Sequence, residues 1–283
     1  MIYLLLSILF STAIFVVFKL IDKYNTNTLQ AIVVNYFTAF ICGALLYDGQ
    51  IILSNILQTE WFIAALFLGV LFIAIFYVMA LTAQKNGLSV ASVASKMSVI
   101  IPILFGIFIY NESIGAQKTT GIILALVAVY LTSIKQKEKT VLTKSIFLPI
   151  ILFLGSGIID TSVNHFAPND KIPLFSATIF GVAAIIGCFL LVITSIANKS
   201  RFKTKSVLLG IILGIVNYCS IFFLLKALRV EGLESSSVFT INNVLIVALS
   251  TLIGLLLFKE QISAKNWIGI SLALVSILLV TLA

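Results

Sequence analysis

The chain alternates between long apolar runs and short polar breaks, and the runs share a common length. A bilayer core about 30 Å thick needs about 20 predominantly apolar residues per helix. That ruler predicts ten membrane-spanning helices, at 2–18, 29–47, 61–83, 88–110, 116–134, 145–166, 173–197, 206–225, 236–258 and 265–282. The first run is apolar from its start. It lacks the basic leader and small-residue cleavage site of a signal peptide, so it is expected to remain as a membrane helix. The longest charged break, KQKEKTVLTK at 135–144, lies near the midpoint. It divides the chain into a first five-helix repeat at 1–134 and a second at 145–283.

The second half repeats the first. ESIGAQKTTGIILALVAVYL, from Glu112 to Leu131, aligns with EQISAKNWIGISLALVSILL, from Glu260 to Leu279, with ten of twenty positions identical. Glu112 pairs with Glu260 and Gly121 with Gly269, at an offset of 148. Upstream, Ala80-Leu81 answers Ala227-Leu228. Five helices end on the opposite side of the membrane from where they began, so the second copy must insert upside down. The expected fold class is therefore an all-α integral membrane protein of ten helices in two inverted repeats. That symmetry suits alternating access, because two mirrored arrangements expose one midplane site to either side in turn.

Composition agrees. Hydrophobic residues make up 61% and charged residues 10%, where a soluble domain carries about 25% charged residues. Mean hydropathy is +1.20. The net charge of +8 sits in the loops, with no basic stretch interleaved with aromatics, so nucleic acid is not an expected partner. Thirteen Lys and Arg fall on one set of connections and four on the other, with Lys96 inside a run. The positive-inside bias places the basic loops in the cytoplasm and both termini outside, in the plasma membrane. Cys42, Cys188 and Cys219 each lie in an apolar run without CxxC spacing and read as small buried hydrophobes.

The repeat block resembles the EamA-like ten-helix members of the drug/metabolite transporter superfamily. The residues that carry the resemblance are Ala80-Leu81, Pro102, Glu112 and Gly121, with Ala227-Leu228, Glu260 and Gly269 as second copies. The resemblance extends over essentially the whole chain. It implies secondary transport of a small polar or amphipathic metabolite, often outward, and marks Glu112 and Glu260 as typical of the family. Asn35 stands where many relatives carry Arg, so no role of that Arg transfers.

Polar groups at membrane depth are the candidate site. A charge at the bilayer centre costs about 2.5–3.5 kcal/mol on insertion scales, so each asks for a reason. Lys96 sits about 12 Å into the fourth run, after Ser89, Ser92 and Ser95 and before Pro102, whose missing N–H can kink the helix. It reads as a cationic anchor for an anionic substrate group, against a lysine that snorkels to the interface or pairs structurally. Asp160 lies about 22 Å into the sixth run, on a face shared with Ser156 and Asn164. It reads equally as a proton or cation acceptor and as a structural partner. In the ninth run, Asn243, with Asn242 beside it, is the inverted counterpart of Lys96 by the repeat, and the pair suits either substrate binding or interhelical bonding. Thr12, with Ser11, and Asn217 with Tyr218 fall at similar depth. Tyr77 and Tyr218 are candidate stacking rings, or packed aromatics. Pro102, Glu112, Glu260 and Tyr77 are assigned gating or structural roles.

The chain has one histidine, His165, so HExxH is impossible, and GxSxG is absent. Neither catalysis nor a cofactor is expected. The expected partners are a small-molecule substrate and the lipid bilayer, with the protein a monomer or homodimer. A channel and a non-transporting scaffold or receptor stand as alternatives. Saturable uptake with counterflow separates a carrier from a channel, and indifference to neutralising Lys96 and Asp160 would mark a scaffold.

Overall fold

A computed structural model of the protein describes residues 2–47, 49, 53–110, 115–133, 147–168, 171–198, 203–228, 230 and 235–281. Among these residues it forms twelve helices and no strand. They are α1 (Ile2–Lys23), α2 (Thr28–Leu45), the short α3 (Leu53–Leu57), α4 (Phe62–Lys85), α5 (Leu88–Met97), α6 (Ile100–Tyr110), α7 (Ala116–Ser133), α8 (Phe147–Phe166), α9 (Ile172–Asn198), α10 (Thr204–Leu228), α11 (Ser235–Phe258) and α12 (Ala264–Thr281). Among the described residues, seven stretches are long and apolar enough to cross a membrane, and Thr119–Thr132, Phe147–Val163 and Ala264–Leu279 are shorter apolar helices. Glu112, the 135–144 connection and the side chains of Asn164 and Thr240 lie outside the described residues.

Large apolar side chains face outward in helical stripes. On α4 the stripe runs through Ile63, Phe67 and Val70, and on α9 through Ile185, Phe189, Val192 and Ile196. Water would penalise so much exposed apolar surface, whereas lipid does not. The chain is a multi-pass membrane protein.

The fourth apolar run is broken rather than continuous. Proline lacks an N–H, and its ring clashes with the carbonyl four residues earlier. Four residues before Pro102 is Ser98, where α5 ends. The Ile101 N–H then bonds the Ser98 carbonyl at 2.9 Å, and the chain restarts as α6. The sequence predicted a kink here, and the structure makes it a change of helix.

The packed neighbours are mostly drawn from opposite halves: α1 with α10 and α11, α2 with α9 and α10, α4 with α8 and α9, α5 with α8 and α11, and α7 with α12. Close approach depends on glycine. A Cβ at Gly210 would come within 2.7 Å of the Ala31 carbonyl oxygen, and one at Gly214 within 2.6 Å of the Asn35 carbonyl oxygen. These two positions let α10 lie against the α2 backbone. Gly155 and Gly157 on α8 likewise sit under Ile75 of α4 and Ile101 of α6. Gly121 and Gly269 serve the α7–α12 pair: Ser276 Oγ donates to the Gly121 carbonyl at 2.7 Å, and Gly269 abuts the backbone of Ala128 and Thr132.

Candidate functional site

The break between α5 and α6 organises the polar interior. α5 is enclosed on all sides, with every residue from Leu88 to Ser95, and Met97, buried. Lys96 alone on this helix is partly exposed. Ser98, at the break, donates its Oγ to Asp160 Oδ2 of α8 at 3.2 Å and also to the Ser95 carbonyl at 2.5 Å.

Asp160 is exposed, yet it does not lie on the outward stripe of α8. That stripe runs through Phe147, Ile151, Leu154 and Ile158. Asp160 is nine residues from Ile151, which is about two and a half turns, so it projects from the opposite side of the helix. Asp160 therefore stands on the side of α8 away from that stripe, where Ser98 reaches it. Lys96 and Asp160 interact as opposite charges but form no direct ion pair within 4.0 Å. Ser98, just past the end of the helix that carries Lys96, contacts the carboxylate instead.

The remaining candidates occupy several places. Asn217 is 3% exposed, and its side-chain amide is hydrogen-bonded to that of Asn35 at 3.2 Å, which joins α10 to α2. Asn242 is buried and accepts a hydrogen bond from Ser7 Oγ at 3.1 Å, while Asn243 beside it is also buried. Ser92 receives a 2.6 Å bond from Ser250 Oγ and thereby ties α5 to α11. Thr12 is buried with no hydrogen-bond partner for its Oγ1. Tyr218 is buried and stacks on Phe222, with ring centroids 6.0 Å apart. Tyr77 stands apart. Its offsets of seven from Val70 and fourteen from Ile63 place it on the outward stripe of α4, away from Lys96 and Asp160. His165 is exposed and its ring lies against Phe166 and Phe105.

Glu260 is at the end of the bundle that carries Lys19, Lys85, Lys203 and Lys259. Both of its carboxylate oxygens accept the Leu88 backbone N–H, at 2.9 and 3.0 Å, and Oε1 pairs with Lys19 at 3.3 Å. The Lys19 ammonium also donates to the Ala83 carbonyl at 3.3 Å, at the end of α4. One carboxylate thus holds the start of α5, the end of α1 and the connection after α11 together. Gly87 precedes α5 at φ +105°, a left-handed conformation that favours glycine. Lys19 and Ser98 were not singled out from sequence. The signal for Ser98 was its position four residues before Pro102.

Residues 1–134 match the model of the EamA-like transporter family. An uncharacterized protein of Haemophilus influenzae is 30% identical over 280 residues, covering 97% of this chain and 95% of that protein. A solved crystal structure covers 99% of this chain and 96% of its own at a TM-score of 0.61 and 15% identity, a likeness of fold alone.

Proposed function

Since this chain belongs to the EamA-like transporter family, we propose that it is a secondary transporter that moves a small polar or amphipathic metabolite outward by alternating access. Ten helices cross the plasma membrane in two inverted halves, 1–134 and 145–283, with the basic loops in the cytoplasm. The helix pairing supports the two-fold relation between the halves. Take the broken fourth run as one helix and replace each of the ten by the one five places on. The pair α2–α10 becomes α9–α4, α4–α8 becomes α10–α1, and α1–α11 becomes α8–α5, all packed pairs. The pairs α2–α9, α5–α11 and α7–α12 map onto themselves.

The observation that carries the functional reading is the accessible Asp160 on the inward face of α8, bonded to Ser98 at a helix break and facing the charge of Lys96. Broken helices at a repeat interface are where carriers place their substrates. Lys96 holds an anionic group of the substrate. Asp160 binds a proton or a cationic group, and Asn243 bonds the far end. Asn217, Asn242 and Ser92, each bonded across helices, and the buried Thr12 and Tyr218 brace the helices that carry this pair, while Glu260 governs access at the Lys-rich end. A continuous channel would not need two unlike charges on opposite halves.

The test begins with thermal unfolding of the purified protein against a metabolite library, since a bound substrate stabilises the folded state. The stabilising compound is then followed into proteoliposomes. Saturable uptake with counterflow is expected, and Lys96→Met abolishes it while folded yield holds. Normal uptake by Lys96→Met with reduced yield would make Lys96 structural.

A further inference from the structure

A cleft of about 180 Å³ lies at the Lys-rich end, lined by residues that include Lys19, Lys85, Gly87, Ser89, Glu260 and Asn266. Its chemistry favours an anion. The N-terminus of α5, a helix of ten residues, starts in this wall, and the first N–H groups of a helix lack intrahelical acceptors and carry partial positive charge. Two ammonium groups stand beside it. Ser89, 4% exposed, lines the cleft with no hydrogen-bond partner for its Oγ.

The anion now in place is the carboxylate of Glu260. It reaches α5 from the connection between α11 and α12, in the other half of the chain, and takes the Leu88 N–H and Lys19. The surroundings are cut to fit it: a Cβ at Gly87 would lie 2.8 Å from Oε2, and one at Gly254 2.6 Å from the same atom. Ser89 is left over, so the cleft offers more donor capacity than Glu260 uses.

We propose that this cleft is a carboxylate-binding site in which Glu260 is the resident internal ligand, and that a small carboxylate-bearing solute displaces it from Leu88 and Lys19. Displacement frees the α11–α12 connection from α5 and unlatches the Lys-rich end. The site itself stands on these contacts, whereas its use as a latch rests on the carrier reading above. The volume falls below the roughly 300–1,000 Å³ of sites for drug-sized ligands, so the solute is small. A tethered carboxylate acts at an effective concentration in the millimolar range or above. A competitor therefore needs more than a bare carboxylate, and a hydroxyl directed at Ser89 or Asn266 supplies it.

Two measurements test this. In the first, purified protein at constant ionic strength is unfolded thermally in chloride or in acetate. Glu260→Gly is expected to unfold several degrees below wild type, and acetate should recover most of that loss where chloride does not. Adding Lys19→Met should remove the recovery. If Glu260→Gly does not fold, Glu260→Gln, which keeps the volume but offers only a neutral amide, replaces it in the same titration. No acetate effect beyond chloride in the variant that folds overturns the site. In the second, Gln261→Cys is placed in a background with Cys42, Cys188 and Cys219 replaced by alanine, and labelled with a membrane-impermeant maleimide. Lactate should raise the labelling rate severalfold over chloride, and Glu260→Gln should raise it without lactate. Rates unchanged by lactate overturn displacement. If acetate rescue and lactate-dependent labelling both hold while proteoliposomes show no saturable uptake of any stabilising compound, the carrier reading fails and the site stands.

Discussion

Ser98 Oγ donates to Asp160 Oδ2 at 3.2 Å, joining the break in the fourth apolar run to the inward face of α8. The break is there because Pro102 lies four residues on. Pro102→Ala restores an N–H that can bond the Ser98 carbonyl and lets α5 run on into α6. A hydrogen bond to a charged group is worth about 1.5–3 kcal/mol, so apparent substrate affinity should fall about tenfold or more while thermal stability holds. Uptake kinetics of Pro102→Ala and Ser98→Ala check this. Wild-type KM in both variants would remove Ser98 from the site.

Asp160→Asn should abolish transport, because the amide neither ionises nor exchanges a proton. Tyr77→Phe should leave transport unchanged, because Tyr77 lies on the outward stripe of α4. Proteoliposome uptake by the two variants, each normalised to folded protein, separates a charge requirement from a general sensitivity to substitution. Full activity in Asp160→Asn would refute the proposed role of the carboxylate.

Gly210→Val and Gly214→Val place side chains against the α2 backbone, where a Cβ alone would already come within 2.7 and 2.6 Å of carbonyl oxygens. Overpacking of this kind costs about 1–3 kcal/mol. Both variants should show lower melting temperatures in detergent. Gly115→Ala, with open space around its Cβ, should melt close to wild type.

Asn217→Ala removes the amide that meets Asn35 and leaves Asn35 buried without it. An unsatisfied buried polar group costs about 1–3 kcal/mol. The double variant Asn35→Leu/Asn217→Leu should recover much of that loss, since it removes both polar groups. A double-mutant cycle on melting temperature would show coupling, and simple additivity would deny the pair any structural weight.

The Lys-rich end should face the cytoplasm, with both termini outside. A C-terminal reporter active only in the cytoplasm should be silent. A bright signal would invert the orientation and leave the helix packing untouched.

Much of the fold was legible because lipid imposes a length rule. Each of the ten apolar runs is helical over most of its described residues, and the matched Gly121 and Gly269 both prove to be contact points of α7 with α12. The site was legible only in part. Lys96 and Asp160 announced themselves as charges in apolar runs. Which polar groups meet water, and which bond one another across helices, did not follow from helical stripes. Ser92, Asn217 and Asn242 all carry polar atoms at depth, but Ser250, Asn35 and Ser7 engage them. Tyr77 lies at a comparable position along its helix and faces outward.

By itself the sequence determined the solvent, the helices and a kink at Pro102, because each depends on residues near one another in the chain, and its self-similarity carried the duplication. Only the tertiary structure decided that Glu260 meets Leu88, 172 residues away, and that Ser98 meets Asp160. Those relationships arise from how α5, α8 and α11 cross. Crossing is set by the summed contacts of many interchangeable apolar side chains and a few glycines, and no local pattern in the chain encodes that sum.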